Sequence, residues 1–181
     1  PSLLVETPHS TAAISLFGGQ LLSFVPKGGT EVMWLSPSAH PTPTPIRGGT
    51  PVCWPYFGRQ DQSADVPAHG FVRTVPWQLQ DARREADGSM LLTLAPPAFD
   101  DLPLRLRMQL RIGATLEQRL ITDNVGQALL GKARGVVVPQ GSQGDLLALQ
   151  HLGQCGGRAG DAGGELLQLL PARLEVVLGT A

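Results

Sequence analysis

The sequence is poor in cysteine, and it lacks the spacings by which cysteine and histidine usually bind metals. Only Cys53 and Cys155 occur in 181 residues. That number is too small for the disulfide framework of a secreted mini-domain, and it favours a reducing compartment, with a single disulfide as the alternative. CxxC and HExxH patterns are absent. We therefore predict no metal site and no cofactor.

An excess of charge of one sign is also missing. Fourteen Lys and Arg face fifteen Asp and Glu, a net charge of -1. This balance offers no electrostatic reason to expect nucleic acid or an anionic membrane as a partner. No apolar run approaches the roughly 20 residues of a membrane-spanning helix, and no basic-then-apolar leader opens the chain. We expect a cytoplasmic protein, and the start at Pro1 predicts a missing or trimmed N-terminal piece.

Helical periodicity is almost absent before residue 127, whereas strand signals are frequent. With 42% hydrophobic and 16% charged residues, the chain is globular and long enough for one core. Apolar stretches broken by Gly, Pro and charged turns predict strands at 11–17, 20–25, 31–35, 75–79, 90–94, 104–112 and 114–122, with a hairpin tip at 81–88. The fold class that this pattern predicts is an all-β antiparallel sandwich.

The clearest strand is 104–112, where apolar and polar residues alternate without a break. Its arginines, Arg105, Arg107 and Arg111, form either a solvated sheet face or an anion-binding row. Alternation favours the solvated face.

The richest local pattern is the segment 46–58, IRGGTPVCWPYFG, answered by 68–74, AHGFVRT. Gly48 and Gly49 permit positive φ or close backbone approach, and the prolines of the segment exclude a central strand. Arg47 and Arg73 each present a planar fork suited to carboxylate or phosphate, and His69 can donate, accept or carry charge near neutral pH. Taken singly, these are an ordinary turn, surface arginines and a structural histidine. Their combination predicts a pocket for a small anionic ligand.

These segments, with 17–24 (FGGQLLSF) and 32–36 (VMWLS), resemble the hexose-6-phosphate mutarotases, the glucose-6-phosphate 1-epimerase branch of the aldose 1-epimerase superfamily. The resemblance runs from about residue 10 to 127. It implies a galactose-mutarotase-like supersandwich, a monomer, a sugar-phosphate substrate and no cofactor. Arg47 and Arg73 would hold the phosphate, and His69 would bond the sugar or phosphate. Strand positions four apart lie about 13 Å apart when extended. Either Gly70 bends the chain to bring His69 and Arg73 together on the ligand, or the two residues touch opposite ends of it.

After Gln127 the composition changes. No aromatic residue follows Phe99, and residues 141–164 hold eight of the 22 glycines. We predict a mutarotase-like portion over 1–127 and a divergent Gly/Leu-rich tail over 128–181, with helices at 146–152 and 165–178 separated by a flexible loop. The family continues here with a Leu-His-Thr-Tyr-Phe strand, whereas this chain has Gly135 to Pro139 as GVVVP. Our hypothesis is an apparently truncated sandwich whose tail arises from a frame change or rearrangement.

The family's catalytic acid and base therefore map to no residue, so no catalytic residue is identifiable. His151, Glu165 and Glu175 are late candidates by residue type alone. The resemblance implies a glucose-6-phosphate 1-epimerase. The alternatives are an inactive phosphosugar-binding homologue, an aldose 1-epimerase acting on unphosphorylated sugars, and an interaction protein that pairs open sheet edges.

Overall fold

The computed structural model describes residues 1–59 and 63–126 and the backbone of 173–179. This part of the chain forms two antiparallel sheets and contains no helix, which confirms the predicted all-β sandwich. The first sheet has the order β1 (Ser2–Glu6), β2 (Ser10–Ser15), β3 (Gln20–Pro26). The second has the order β4 (Gln78–Arg84), β5 (Met90–Ala95), β6 (Leu104–Ile112), β7 (Leu116–Asn124), β8 (Arg173–Gly179).

The core lies between the two sheets, and the alternation of β6 shows how it is filled. The inward side chains of β6 are at most 4% exposed: Leu104, Leu106, Met108, Leu110 and Ile112. They share one cluster with Ile14, Leu21 and Phe24 of the first sheet. Successive strand residues point to opposite faces, so the period of two in the sequence separates a buried face from a polar one.

The polar face of β6 is a row of satisfied arginines. Arg107 pairs with Asp123 at 2.8 Å and Arg111 with Asp87 at 2.6 Å. The Nη1 of Arg105 donates to the backbone carbonyls of residues 102 and 104. These contacts, and the exposure of Arg105 and Arg111, agree with the solvated sheet face that the alternation favours.

The strand predicted at 31–35 is wrong, because the Glu31 side chain takes up the backbone groups that a ladder would use. Its carboxylate accepts the N–H groups of Phe24 at 2.9 Å and Met33 at 2.8 Å, and also the Ser23 hydroxyl. Hydrogen bonding to the carboxylate lowers the pKa of Glu31 against the opposing effect of burial, which is the largest single contribution. The segment forms a loop whose single ladder contact is an isolated bridge from Leu35 to Gly48.

Other bounds also differ from the prediction, including those of β2 (predicted at 11–17) and β7 (predicted at 114–122). The strand β1 was not predicted, and it pairs with β2 along the edge of the first sheet. The strand predicted at 75–79 begins at Gln78, after Pro76, which has no N–H for a ladder. It extends to Arg84, inside the hairpin tip predicted at 81–88, because Arg83 and Arg84 pair with Leu91 and Met90.

The helix predicted at 165–178 is wrong over 173–178. There the chain forms β8, antiparallel to β7, with Glu175 opposite Ile121 and Arg173 opposite Asp123. An exposed strand edge offers unpaired N–H and C=O groups. A segment rich in valine and leucine can form a strand that pairs with these groups instead of forming a helix. The helix predicted at 146–152 and the remainder of 165–178 lie outside the described residues, and the origin of the tail stays a prediction.

Candidate functional site

Both sequence segments of the candidate site lie on the long connection between β3 and β4, which two buried tryptophans fasten to the sandwich. Trp54 is 1% exposed and Trp77 is 2% exposed. The indole N–H of Trp54 donates to Thr122 Oγ1 on β7 at 3.0 Å, and that of Trp77 donates to the Val72 carbonyl at 3.0 Å. A buried indole needs such a partner, so each bond fixes the orientation of its ring as well as its depth. The polar residues of the site are thereby held on a core-anchored loop.

The first segment turns at Gly48 and Gly49, which have φ of 111° and 60°. A Cβ at Gly48 would lie 2.4 Å from the Trp34 carbonyl oxygen, and one at Gly49 would lie 2.2 Å from that of Leu21. Only glycine accepts both the conformation and the approach. The turn presents Arg47, which is exposed and makes no side-chain hydrogen bond or ion pair with any described residue.

Gln20 binds the backbone of this turn, a role that was not predicted from the sequence. Its side chain is 4% exposed, and its Nε2 donates to the Gly48 carbonyl and, at 3.4 Å, to the Ile46 carbonyl. The two accepting groups flank Arg47 on either side. The sequence did contain a signal for this role, a glutamine at the start of a predicted strand beside apolar residues. A buried amide must find hydrogen-bond partners.

The second segment bends at His69 and Gly70, with φ of 69° and 77°. His69 is the one non-glycine residue with positive φ among those described. A Cβ at Gly70 would lie 1.9 Å from the Trp54 carbonyl oxygen, which accepts the Phe71 N–H at 2.9 Å. The bend expected at Gly70 is present and starts one residue earlier. A sparsely populated conformation costs about 1–3 kcal/mol and persists where surrounding contacts enforce it.

The ring of His69 is held in one tautomer. The Gly58 N–H donates to His69 Nδ1 at 3.1 Å, so Nδ1 is the acceptor and the neutral ring carries its proton on Nε2. The Phe57 ring packs edge-on at a centroid distance of 4.6 Å. Burial, and then the nearby Arg73 cation, lower the pKa of His69 below its ordinary 6.5. His69 therefore offers an Nε2–H donor at neutral pH.

The charge of Arg73 acts on both His69 and Cys53. Burial raises the pKa of the Cys53 thiol, and the Arg73 cation opposes that increase. Arg73 Nε is buried and has no hydrogen-bond partner in the described structure. Its guanidinium has no ion-pair partner among the described residues either. Within residues 1–59 and 63–126, this cation therefore has no counter-ion.

The two arginine-bearing loops meet at the turn between β2 and β3. A Cβ at Gly18 would lie 2.6 Å from the Arg73 carbonyl oxygen, so the second loop packs directly on this turn. Two residues later, Gln20 binds the carbonyl of Gly48 in the first loop. The structure therefore packs the loop of Arg73 on Gly18 and the loop of Arg47 on Gln20, two residues further along the chain.

A cleft of about 440 Å³ lies elsewhere. It is lined by the 96–99 loop, by Trp54 and by residues of β4, β5 and β6, including Arg105 and Arg107. Arg47, His69 and Arg73 are not among its lining residues. The candidate site is therefore distinct from this cleft.

Two features are absent among the described residues, and the structure places only one of the late candidate residues. Among described residues, no cluster of His, Cys, Asp and Glu could hold a metal ion. That same part of the chain has no helix able to cross a membrane. His151 and Glu165 lie outside the described residues, and Glu175 is placed on β8 by its backbone alone.

The fold is that of the mutarotases. A crystal structure of a "putative mutarotase" from Salmonella typhimurium matches with a TM-score of 0.59 and 33% identity over 66% of this chain. The aldose 1-epimerase family profile matches residues 1–124, and the chain belongs to that family.

Curated relatives are similar in sequence over about half of this chain. A protein of Escherichia coli named "Putative glucose-6-phosphate 1-epimerase" is 45% identical over 93 residues, and one of the same name from Salmonella typhimurium is 42% identical over 92 residues. The matched regions cover 49% and 50% of this chain. They cover 30% and 31% of those relatives, and 42% of the crystallised mutarotase, so the chain spans less than half of the proteins that it matches.

The lowered pKa of His69 predicts a pH dependence of stability. Because the folded pKa lies below the ordinary 6.5, the unfolded chain takes up this proton first as the pH falls. The free energy of unfolding should therefore be highest above pH 6.5. It should decrease as the pH falls from 6.5 to the folded pKa of His69. Urea unfolding between pH 5 and 8 measures this slope, and NMR titration of the ring reports the pKa directly.

His69→Gln should flatten that slope, whereas His9→Gln, which changes an exposed histidine outside the site, should retain it. A His69 ring that titrates above 6.5 in the free protein would contradict the assignment.

Proposed function

We propose that this chain binds hexose 6-phosphates at Arg47, His69 and Arg73, and that it contributes the phosphosugar-binding part of a cytoplasmic glucose-6-phosphate 1-epimerase. The names of the curated relatives support the choice of reaction. The composition of the site supports the choice of ligand, because two arginine forks suit a phosphate dianion better than a neutral sugar.

The observation that carries the proposal is the Arg73 guanidinium, which has no ion-pair partner among the described residues and whose charge helps to keep His69 neutral. A part-buried cation without a counter-ion is costly, and an anionic ligand would compensate it. His69 adds an Nε2–H donor in a fixed direction, and Arg47 adds a second, exposed cation from the neighbouring loop. All three side chains are hydrogen-bond donors when His69 is neutral, which suits a ligand whose oxygens accept hydrogen bonds.

The reaction sets a further requirement. Interconverting anomers needs a base to take the proton from the C1 hydroxyl while an acid protonates the ring oxygen, so that the ring opens to an aldehyde and closes on the other face. The resemblance assigns these roles to a histidine and a late glutamate whose motifs this sequence lacks. In the proposal, the described residues bind and orient the phosphosugar.

A second candidate is a phosphosugar-binding protein without epimerase activity, and the absence of the two catalytic motifs favours it. An aldose 1-epimerase acting on unphosphorylated sugars is less favoured, since such a ligand leaves both arginines without an anion. Association through sheet edges is favoured by the exposure of every residue of β4, although Asp81, Arg83 and Arg84 on that strand discourage strand pairing. Concentration-dependent size in solution tests it.

The experiment is an NMR titration of the purified chain with glucose 6-phosphate, glucose and inorganic phosphate, followed by exchange spectroscopy of the two glucose 6-phosphate anomers. We expect saturable binding of glucose 6-phosphate and phosphate and none of glucose in the same range. Faster anomer exchange would support the epimerase, and binding without acceleration would support the second candidate. Binding of glucose but not phosphate would overturn the proposal.

A further inference from the structure

Trp34 differs from the other two tryptophans in every respect that the structure records. Trp54 and Trp77 are buried and donate their indole N–H groups. Trp34 is 55% exposed, and among the described residues its ring stacks on no aromatic side chain and its N–H has no acceptor. An exposed indole does not contribute the hydrophobic stabilisation that a buried tryptophan gives to a core. The groups near Trp34 therefore indicate what its side chain can do.

The segment of Trp34 pairs with the segment that carries Arg47. Leu35 forms an antiparallel bridge with Gly48, the Gly49 N–H donates to the Trp34 carbonyl at 2.7 Å, and the Ser36 N–H donates to the Arg47 carbonyl at 3.0 Å. Trp34 and Arg47 therefore lie on the two sides of one bridge, and both side chains are exposed there.

Gly49, whose N–H binds the Trp34 carbonyl, packs closely against β3. A Cβ there would lie 2.2 Å from the Leu21 carbonyl oxygen, so no larger residue fits. The result is an exposed indole on the segment that pairs with the loop of Arg47, an exposed cation without a partner among the described residues.

We propose that Trp34 is a specificity-determining residue that stacks against the apolar C–H face of the hexose ring while Arg47 holds the phosphate. Aromatic surface combined with a few placed polar groups is the usual composition of a small-molecule site. The inference rests on the proposed function, and it adds the group that distinguishes a phosphosugar from phosphate alone.

The test compares two ligands on three variants. Trp34→Ala should weaken binding of glucose 6-phosphate roughly three- to tenfold, the scale of an aromatic contact, and leave binding of inorganic phosphate unchanged. Trp34→Phe should retain most of the affinity for glucose 6-phosphate. The control Leu35→Ala removes the adjacent side chain, itself 41% exposed, and should change neither affinity.

Fluorescence supplies a second readout, because only one of the three tryptophans is accessible to iodide in the described structure. Saturating glucose 6-phosphate should protect that tryptophan from iodide quenching, and phosphate should not. An unchanged glucose 6-phosphate affinity in Trp34→Ala would overturn this inference alone. Equal losses for both ligands would also overturn it, since Trp34 would then act on Arg47. Failure of the wild-type chain to bind either ligand would overturn the proposed function and this inference together.

Discussion

Arg73→Met is expected to weaken glucose 6-phosphate binding by about 1.5–3 kcal/mol, which is roughly 10- to 150-fold in affinity. The substitution removes a charged donor that has no acceptor among the described residues and that the proposal pairs with phosphate. Arg47→Ala should cause a loss on the same scale, because Arg47 presents the second fork. Isothermal titration of each variant with glucose 6-phosphate and with phosphate measures both effects.

The same Arg73 variant should keep or increase the stability of the unliganded chain. A buried donor without an acceptor costs about 1–3 kcal/mol, and methionine replaces it with an apolar group of similar length. We therefore expect a free energy of unfolding equal to or above that of the wild type. Weaker binding without lost stability would identify Arg73 as a residue retained for its ligand.

Arg83→Met provides the matched control. It removes an arginine of β4 whose side chain is 62% exposed and forms an ion pair with Glu85. It should leave binding unchanged. Wild-type affinity in Arg47→Ala would remove Arg47 from the site, and a stability loss above about 1 kcal/mol in Arg73→Met would show that the guanidinium supports the fold.

Gly70→Ala is expected to have the largest effect on stability, a loss of about 2–5 kcal/mol. The backbone there has a φ of 77°, which costs about 1–2 kcal/mol for a residue with a Cβ. The new Cβ would also lie 1.9 Å from the Trp54 carbonyl oxygen, so the two segments must separate. Overpacking of this kind costs typically 1–3 kcal/mol. Urea unfolding measures the sum.

Gly28→Ala separates the two contributions. Its φ of 75° is almost the same, and a Cβ there meets no atom within 4 Å. It should lose only about 1–2 kcal/mol from backbone conformation. Equal losses in the two variants would show that the close approach at Gly70 is relieved by small movements and contributes little.

The parts of the fold that the sequence predicted are those controlled by neighbouring residues. The strand β6 was predicted to the residue, because each of its side chains points to the face opposite that of the next. The segment 31–35 has the composition of a strand, and yet it forms a loop, because the Glu31 carboxylate binds the backbone of β3. A leucine-rich segment at 173–179 became a strand because β7 offered it an edge.

The candidate site divides in the same way. The residue types and the glycine turns could be predicted from the two segments, because arginine forks and positive φ are local properties. The tautomer of His69, the unpaired Nε of Arg73, the role of Gln20 and the exposure of Trp34 could not. Each depends on which groups the surrounding chain brings near.

The sequence by itself determined the all-β class, the faces of its clearest strand and the chemical character of the site, since all three follow from residue type and short-range spacing. The tertiary structure decided which loops meet and which donors remain free. The bond from Trp54 to Thr122 spans 68 residues and that from Gln20 to Gly48 spans 28. A polar group satisfied over such a separation has no signature in its local sequence, because its partner is selected by folding of the whole sandwich.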